Sequence, residues 1–360
     1  MIFGQGKTKI IFTKTGSLNY NVVVLMIYNN ILFFKPGAIG DLLHTLPSLK
    51  ALRQAFPAAR ITLVVSPGLE QLVNGSSIAD RVEVFDKQRM KDRFRDFIAY
   101  GGRLRREQYD LFIDMQPSLR SRLLCWLSGS RTCLVYKKQK MVKAEGRRLH
   151  AVDNFMQTLA PLGIAQPVDR IELPVQQGAA RSAETFLRSQ PNIRNRPLIA
   201  LNCGVGAARP SRNWFPDRFS HLADRLIREL DLAVVFVGGG EDNELVGEVL
   251  AGMREKAVSA AGKLDLAETA ALLARCRCLV SSDTGPLHLA TAVGTPVIGL
   301  FGSTDPARTG PVGPNCTVLQ KKLPCVPCEQ KTCPLSTSAC MTSISVDDII
   351  ASIKEKFLCS

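Results

Sequence analysis

Short apolar segments alternate with amphipathic helical segments along most of the chain, and the apolar segments end in turns rich in glycine and polar residues. One series runs from residues 31–34 to 111–114, and a second runs from 198–202 to 296–301. Strands that alternate with helices favour parallel, doubly wound sheets. We therefore predict an α/β fold with two Rossmann-like domains whose parallel sheets face a central cleft.

The chain has 360 residues, which is enough for two domains with sizeable cores. A polar span with a proline near either end, residues 173–197, is the best domain boundary. We predict an N-terminal domain at 26–175 and a C-terminal domain at 176–345. A last helix, at 346–360, is expected to pack back toward the N-terminal domain.

The most apolar stretch, residues 22–34, is interrupted by Asn29 and Asn30 and is shorter than the roughly twenty apolar residues that a membrane span needs. It has no small-residue cleavage site, so a signal peptide is disfavoured. Residues 1–25 show no periodicity and are an extension of unclear status, with Met26 as an alternative start. The eleven scattered cysteines argue against a secreted disulfide scaffold and favour a cytoplasmic protein.

The positive charge is concentrated in one segment. The chain has a formal charge of +14, and residues 87–148 hold seventeen Lys and Arg against six Asp and Glu. Such a segment indicates a phosphorylated glycan, anionic lipid headgroups or nucleic acid as partner, unless it is a solvated face. Few aromatic residues are interleaved with these cations and no nucleic-acid-binding module is recognisable, so we expect no nucleic-acid partner.

A polar turn that begins Asp283-Thr284-Gly285 separates a short apolar strand from a helix. The backbone N–H groups and the helix dipole at such a junction form an anion site suited to a diphosphate. Thr284 could add a hydroxyl, Gly285 allows close approach, and Asp283 could orient the turn or bind a sugar hydroxyl. The alternatives are an ordinary helix N-cap and, for His288, a structural histidine.

A second junction of this kind lies in "KPGAIGDLLHTLP", residues 35–47. Its glycines at 37 and 40 permit a tight turn, and Asp41 falls at the helix start, at the carboxyl end of a parallel strand, where ligands bind. Asp41 is either an N-cap or a general base facing the cleft. The third glycine of the dinucleotide-binding fingerprint is missing, which disfavours a dehydrogenase.

The loop at 202–214 carries Arg209 and Arg212. Arg212, close to Trp214, either clamps a phosphate or faces solvent. Farther on, a C-x2-C-x4-C-x6-C spacing is formed by Cys325, Cys328, Cys333 and Cys340. We favour structural thiols without metal, with a structural zinc site or iron–sulfur ligation as alternatives. No Asp-x-Asp motif is present to hold Mg²⁺, so no cofactor and no catalytic metal are expected.

Three stretches resemble glycosyltransferase family 9, the bacterial lipopolysaccharide heptosyltransferases: residues 35–53, 281–313 and the cysteine-bearing tail at 325–341. A weaker likeness lies at 109–129, and together these stretches span nearly all of 31–345. The resemblance implies a GT-B fold whose N-terminal half binds the acceptor and whose C-terminal half binds a nucleotide-sugar donor. It further implies transfer of heptose from ADP-heptose to the inner core of lipopolysaccharide, with inversion.

On that pattern Asp41 matches the catalytic base, and Arg212 and the turn at 284–288 stabilise the departing ADP. The residues expected to bind the donor are Gly40, Gly204, Arg212, Glu241, Asp283, Thr284, Gly285, Leu287 and His288. Those expected to bind the acceptor are His44, Arg120, Lys137 and Lys138. The chain departs from the family pattern in its extra residues 1–25, in Pro117 and in Asn213.

The basic segment is expected to meet the carboxylates and phosphates of a lipopolysaccharide core or lipid A acceptor and the anionic inner leaflet. We therefore expect a cytoplasmic protein that is peripheral on the cytoplasmic face of the inner membrane. Two alternatives stay open. One is a glycosyltransferase of the same family that uses another nucleotide sugar, and the other is a non-catalytic nucleotide- or glycan-binding protein on the same fold.

Overall fold

The computed structural model describes residues 7–14, 20–139, 148–165, 170–193, 195–206 and 209–358. The chain divides into two compact units, Met1–Lys140 with Val152–Val168, and Met141–Ala151 with Asp169–Ser360. Its strands are β1 (Lys7–Lys14), β2 (Tyr20–Ile27), β3 (Asn30–Phe34), β4 (Arg60–Val65), β5 (Arg81–Val84), β6 (Leu111–Asp114), β7 (Thr132–Val135), β8 (Leu198–Asn202), β9 (Ala233–Phe236), β10 (Val258–Ser259), β11 (Cys278–Ser282), β12 (Val297–Phe301) and β13 (Cys316–Gln320).

The α-helices alternate with these strands. They are α1 (Ile39–Ala55), α2 (Glu70–Val73), α3 (Lys87–Asp92), α4 (Phe94–Arg106), α5 (Leu119–Ser128), α6 (Ala151–Met156), α7 (Gln177–Arg188), α8 (Pro216–Leu230), α9 (Asn243–Ala251), α10 (Leu266–Leu273), α11 (Gly285–Ala292), α12 (Pro306–Thr309), α13 (Ala339–Thr342) and α14 (Val346–Ile353). Short 3-10 helices lie at Gln157–Leu162, Pro191–Ile193, Pro210–Arg212 and Gly240–Asp242, and a π-helical segment lies at Lys354–Leu358.

The first unit is built on a five-stranded parallel sheet with the strand order β5-β4-β3-β6-β7. Strands β3, β4 and β6 are almost entirely buried, which is the pattern of parallel strands covered by helices on both faces. Helices α4 and α5 cover one face, where Phe97, Leu104 and Leu124 pack with Phe34 and Phe112 of the sheet. The order reverses between β3 and β6, and doubly wound sheets bind ligands at the carboxyl side of that point.

The second unit is built on a six-stranded parallel sheet with the strand order β10-β9-β8-β11-β12-β13. Its order reverses between β8 and β11, so the polar turns after these two strands lie at the corresponding position. The fully buried Trp214 donates a hydrogen bond from Nε1 to the carbonyl of Ile344 at 2.9 Å, which joins the loop after β8 to the C-terminal segment. Both sheets are parallel, as the sequence predicted.

The N-terminal extension contains two strands. β1 and β2 pair in antiparallel register, with Ile10 opposite Val24. Residues 1–25 show no periodicity from which an element can be predicted, yet residues 7–14 and 20–25 lie in these two strands. Both strands are rich in β-branched residues, which favour extended backbone and explain why strands form despite the missing alternation.

The predicted boundary after residue 175 lies inside the second unit. The N–H of Leu173 donates to the carbonyl of Ala292 at 2.7 Å, and Nε2 of His150 lies 3.1 Å from the carbonyl oxygen of Gly310. These two contacts join residues before 175 to the second unit, to which residues 169–175 belong.

The last α-helix packs on the second unit. α14 buries Val346, Ile349, Ile350 and Ile353, whose spacing forms one apolar stripe, in the same cluster as Trp214. The apolar stripe of α14 thus belongs to the second core. That the helix at 346–360 packs back toward the N-terminal domain stays a prediction. Across the described ranges, the structure contains no helix that combines the length and the apolar character needed to cross a bilayer.

Candidate active site

The loop after β3 brings a buried lysine and an exposed carboxylate together. The side chain of Lys35 is 2% exposed, and its Nζ lies 3.3 Å from Oδ2 of Asp41, whose side chain is 54% exposed. Nζ also lies 3.4 Å from Oε1 of Gln116 and 5.1 Å from the centroid of the Phe155 ring. A cation fixed in the interior therefore orients a carboxylate that stays open to solvent.

Asp41 is not the N-cap of its helix. The N-cap of α1 is Ala38, and Asp41 lies in the first turn, where the helix dipole favours its negative charge. A Cβ placed on Gly37 would lie 2.7 Å from the amide end of the Gln116 side chain, so a larger residue there would displace Gln116. The local sequence thus leaves room for the Gln116–Lys35–Asp41 arrangement.

The charges around Lys35 oppose the effect of its burial. Burial lowers the pKa of Lys35, while the charges of Asp41 and Asp114 and the hydrogen bond to Asp41 act in the opposite direction and favour the ammonium form. Burial raises the pKa of Asp114, against the hydrogen bonds from Ser121 and from the N–H of Gln116. The carboxyl ends of β3 and β6 therefore carry a coupled cluster of one cation and two carboxyl groups.

The residues predicted to bind the acceptor differ in their exposure to solvent. His44 lies one turn after Asp41 but is only 2% exposed, so the structure places it in the interior of the unit. Arg120 is half-buried in the first turn of α5, and Lys137 and Lys138 are exposed after β7. Arg120 and the two lysines follow β6 and β7, at the same edge of the sheet as Asp41.

In the second unit, Asp283 is a buried centre of hydrogen bonds and charge. Its side chain is 3% exposed and lies 3.3 Å from Nη2 of Arg212 and 3.4 Å from Nε2 of His288. Thr309 donates from Oγ1 to Oδ2 of Asp283 at 3.3 Å, and Nη1 of Arg212 donates to the backbone carbonyl of Asp283. This geometry supports the predicted role of Asp283 in orienting the turn.

Two opposing effects act on the pKa of Asp283. Burial disfavours its charged form, but the hydrogen bond and charge of His288 and the charge of Arg212 outweigh burial and lower the pKa. For Arg212, burial lowers the pKa, Asp283 opposes this, and the nearby cations Arg209 and Arg308 add to the lowering. Nε of Arg212 is buried and has no hydrogen-bond partner among the described residues, so the guanidinium keeps a donor for an anion.

The turn at the start of α11 leaves backbone donors uncapped by a side chain. Thr284 is the N-cap residue, yet its side chain makes no capping hydrogen bond. Its Oγ1 accepts from Nδ2 of Asn202 at 3.0 Å and lies 3.1 Å from Oγ of Ser281. The N–H groups of the first turn, beginning at Gly285, therefore point toward a site that an anion can occupy.

Of the other residues predicted to bind the donor, some are accessible to a ligand and others serve the packing of the unit. Glu241 is exposed on the turn after β9, and Gly40 lies in the first turn of α1. Gly204 lies against the carboxylate of Asp242, which a Cβ at this position would overlap. Leu287 is fully buried, so its side chain contributes to the core and only its backbone can face a ligand.

Sequence reasoning missed several residues of these clusters. They are Lys35, Asp114 and Gln116 in the first unit, and Arg308 and Thr309 in the second. Arg308 pairs with Glu329 at 2.9 Å, and Arg148, the last residue of the basic segment at 87–148, lies 3.5 Å from Asp305. The sequence signal that could have found the five missed residues is their position, because each lies at or after the carboxyl end of a strand.

The four cysteines of the tail are free thiols. The structure's described part contains no group of three or more His, Cys, Asp or Glu arranged to hold a metal ion. Burial raises the pKa of Cys340, with smaller contributions from Cys328, Cys325 and Cys333, so the four thiols lie in one region. Structural thiols without metal stay the prediction for these cysteines, with a structural zinc as the alternative.

A family model described as Glycosyltransferase family 9 (heptosyltransferase) matches residues 98–339, which is more than half of the chain. The chain belongs to glycosyltransferase family 9. It is therefore a glycosyltransferase, and the predicted family and enzyme class are confirmed.

Individual relatives agree with this assignment. The chain is 28% identical to lipopolysaccharide heptosyltransferase 1 of Pseudomonas aeruginosa, over 84% of this chain and 87% of that protein. It is 24% identical to the lipopolysaccharide core heptosyltransferase OpsX of Haemophilus influenzae, over 76% of this chain and 79% of that protein.

Solved structures match the fold. A family 9 glycosyltransferase from Veillonella parvula superposes with a TM-score of 0.81 and 24% identity, covering 92% of this chain and 98% of that one. The ADP-heptose lipopolysaccharide heptosyltransferase II of Escherichia coli gives a TM-score of 0.76 and 19% identity, covering 91% and 98%. The predicted α/β GT-B fold class is confirmed by these matches.

Proposed function

We propose that this family 9 glycosyltransferase transfers heptose from ADP-heptose to the inner core of lipopolysaccharide, with inversion. The observation that carries the proposal is a division of charge between the two sheets. The first sheet presents the exposed carboxylate of Asp41 at its carboxyl edge, held by Lys35. The second presents the cation Arg212 and an uncapped helix turn at its carboxyl edge.

The chemistry assigned to the first unit is general base catalysis. Asp41 accepts the proton of the attacking acceptor hydroxyl, while the oxygen of that hydroxyl forms the new bond to the anomeric carbon. Lys35 holds the carboxylate in its orientation in this role. Attack from the face opposite the leaving group inverts the configuration at that carbon.

The chemistry assigned to the second unit is stabilisation of the leaving group. The bond from the anomeric carbon to the diphosphate breaks, and ADP departs with both electrons of that bond. Arg212 and the N–H groups of the turn from Thr284 to His288 neutralise the negative charge that develops on the diphosphate. Glu241 is assigned to the ribose hydroxyls, and the proposed reaction needs no metal ion.

The acceptor side follows from the basic surface of the first unit. Arg120, Lys137 and Lys138 follow β6 and β7 and are assigned to the phosphates and carboxylates of the lipopolysaccharide core. Because that acceptor is anchored in the inner leaflet, we assign the enzyme to the cytoplasmic face of the inner membrane, as a peripheral protein.

The test is a competition for transfer. Purified protein is incubated with lipopolysaccharide that lacks heptose and with equal amounts of ADP-heptose, a UDP-hexose and a GDP-hexose, and the product is identified by mass spectrometry. Addition of heptose alone is expected, and Asp41→Asn should abolish it. Asp217→Asn is the matched control, because Asp217 is an exposed acid in the first turn of α8. Addition of a hexose, or no transfer, contradicts the proposal.

A further inference from the structure

Helix α5 exposes apolar residues that a surface helix ordinarily buries. Leu119, Leu123 and Trp126 are 86%, 36% and 74% exposed, and their i, i+4 and i+7 spacing places them on one face. The opposite face packs on the sheet through Ser121 and Leu124. The helix is therefore apolar toward solvent as well as toward the core.

Helix α4 extends this surface. Phe94 and Ile98 are 67% and 41% exposed, and they lie on the same stripe of α4 as Gly101, at i, i+4 and i+7. A Cβ placed on Gly101 would lie 2.7 Å from Leu127 of α5, so this stripe borders α5. The α4–α5 face is formed by the exposed side chains Phe94, Ile98, Leu119, Leu123 and Trp126.

Arginines accompany the α4–α5 face. Arg122 is exposed on the same side of α5, three residues after Leu119, and Arg95 and Arg103 are exposed on α4. α5 contains no acid, and the one acid of α4, Asp96, is paired with Arg89 at 2.8 Å. The face is therefore apolar with a positive border.

This combination matches the headgroup region of an anionic bilayer. Leucine and aromatic side chains insert at the boundary between headgroups and acyl chains, while arginines meet the lipid phosphates. Monomeric soluble proteins rarely leave contiguous apolar patches of this kind unused. The position fits as well, since α5 follows β6, whose last residue, Asp114, interacts with the charge of Lys35.

We propose that the α4–α5 face docks the chain on a bilayer that contains anionic phospholipid. The inference rests on the proposed function, in which the acceptor is anchored in lipid, and it names the surface that meets that lipid. Docking through α4 and α5 brings the carboxyl edge of the first sheet, and with it Asp41, close to the headgroups.

The chain contains its own reporter for this contact. It has two tryptophans, of which Trp126 is on the α4–α5 face and Trp214 is fully buried. Adding vesicles of phosphatidylcholine with phosphatidylglycerol to the full chain should shift the emission to shorter wavelength, and brominated lipid should quench it. Trp126→Phe should remove both changes and leave docking intact in a flotation assay.

Flotation of variants tests the face itself. The double variant Leu119→Ser, Leu123→Ser should lower partition into these vesicles by about tenfold or more, because two apolar side chains no longer insert. Arg122→Glu should lower it by about fivefold or more, and more strongly with anionic than with neutral vesicles. Leu335→Ser is the matched control, because Leu335 is 62% exposed in the second unit.

The proposal is overturned by unchanged Trp126 emission, by equal flotation of the double serine variant, or by the lack of a preference for anionic vesicles. A dimer in lipid-free buffer that the serine variant dissociates also overturns it, in favour of an interface between copies. Transfer to a soluble acceptor without acyl chains separates the two proposals. The double serine variant should retain transfer to this acceptor if only docking depends on the face. If the proposed function is wrong, the wild-type chain should show no transfer although it still docks on vesicles.

Discussion

Nζ of Lys35 lies 3.3 Å from Oδ2 of Asp41, and the two side chains differ sharply in exposure, at 2% and 54%. The lysine is held by Gln116 and by the ring of Phe155, so it has little freedom to follow the carboxylate. Asp41, in contrast, keeps the rest of its carboxylate open to an incoming hydroxyl. This arrangement makes Lys35 a positioning residue for the proposed base.

Replacement of Lys35 should therefore lower turnover without weakening donor binding. Lys35→Met keeps the apolar length of the side chain and removes the charge, and we expect kcat to fall by roughly tenfold to a hundredfold, because the base loses its orientation and its counter-ion. KM for the donor should stay within about twofold of the wild-type value. Steady-state kinetics of heptose transfer measure both quantities.

Lys50→Met is the control for Lys35→Met, since Lys50 is an exposed lysine on the same helix, α1. It should leave kcat unchanged. A Lys35→Met enzyme with normal kcat, or one that loses donor affinity in proportion to kcat, contradicts the positioning role.

Asp283 should stabilise the second unit in a pH-dependent way. Its pKa in the folded chain lies below the ordinary value of 3.8, so its ionised form contributes stability above that value, and the contribution is lost as the pH falls through the folded pKa. Asp283→Asn should lower the free energy of unfolding by roughly 2–3 kcal/mol at pH 7, because Arg212 keeps a half-buried charge without its partner.

Urea unfolding followed by the fluorescence of Trp214, which lies in the second unit, measures this effect. The difference between wild type and Asp283→Asn should be present at pH 7 and shrink as the pH falls below about 4. Asp217→Asn should show no such loss. A difference that grows as the pH falls would have the wrong sign and refute the assignment.

Arg212 should determine how tightly the nucleotide binds. Arg212→Ala removes a charge-assisted hydrogen bond to the diphosphate, and we expect the Kd for ADP to rise by roughly tenfold to a hundredfold. Calorimetric titration with ADP, and in parallel with UDP and GDP, measures the change. Selective binding of ADP is expected from the wild-type chain.

Arg228→Ala is the control for Arg212→Ala, since Arg228 is 55% exposed in the last turn of α8, away from the carboxyl ends of the strands. Its Kd should match wild type. Unaltered ADP affinity in Arg212→Ala would remove this arginine from the donor site.

Much of the fold was predictable because it rests on local pattern. Continuous apolar runs such as β8 indicate buried parallel strands, and the glycine turns before α1 and α11 mark the switch points. The hairpin of β1 and β2 was missed because its apolar residues do not alternate. The core that α14 joins does not follow from its sequence, because an apolar stripe does not specify the surface on which it packs.

The turns that carry the candidate site could be predicted from the sequence, whereas the contacts between side chains of different loops could not. Asp41 and the turn at Asp283 follow from their place after a strand. The contact between Arg212 and Asp283 joins residues 71 positions apart, and the contact between Lys35 and Gln116 joins residues 81 positions apart. Such pairings depend on how the sheet brings loops together, which no local spacing reveals.

The most direct test of the account is the stereochemistry of the reaction and its dependence on Asp41. Proton NMR follows the anomeric proton of ADP-heptose and that of the product as heptose is transferred to heptose-free lipopolysaccharide. We predict a product of inverted anomeric configuration, released with ADP, and a fall in rate of roughly a hundredfold to ten-thousandfold in Asp41→Asn but not in Asp217→Asn. Retention of configuration, or an Asp41→Asn enzyme with wild-type turnover, would contradict the account.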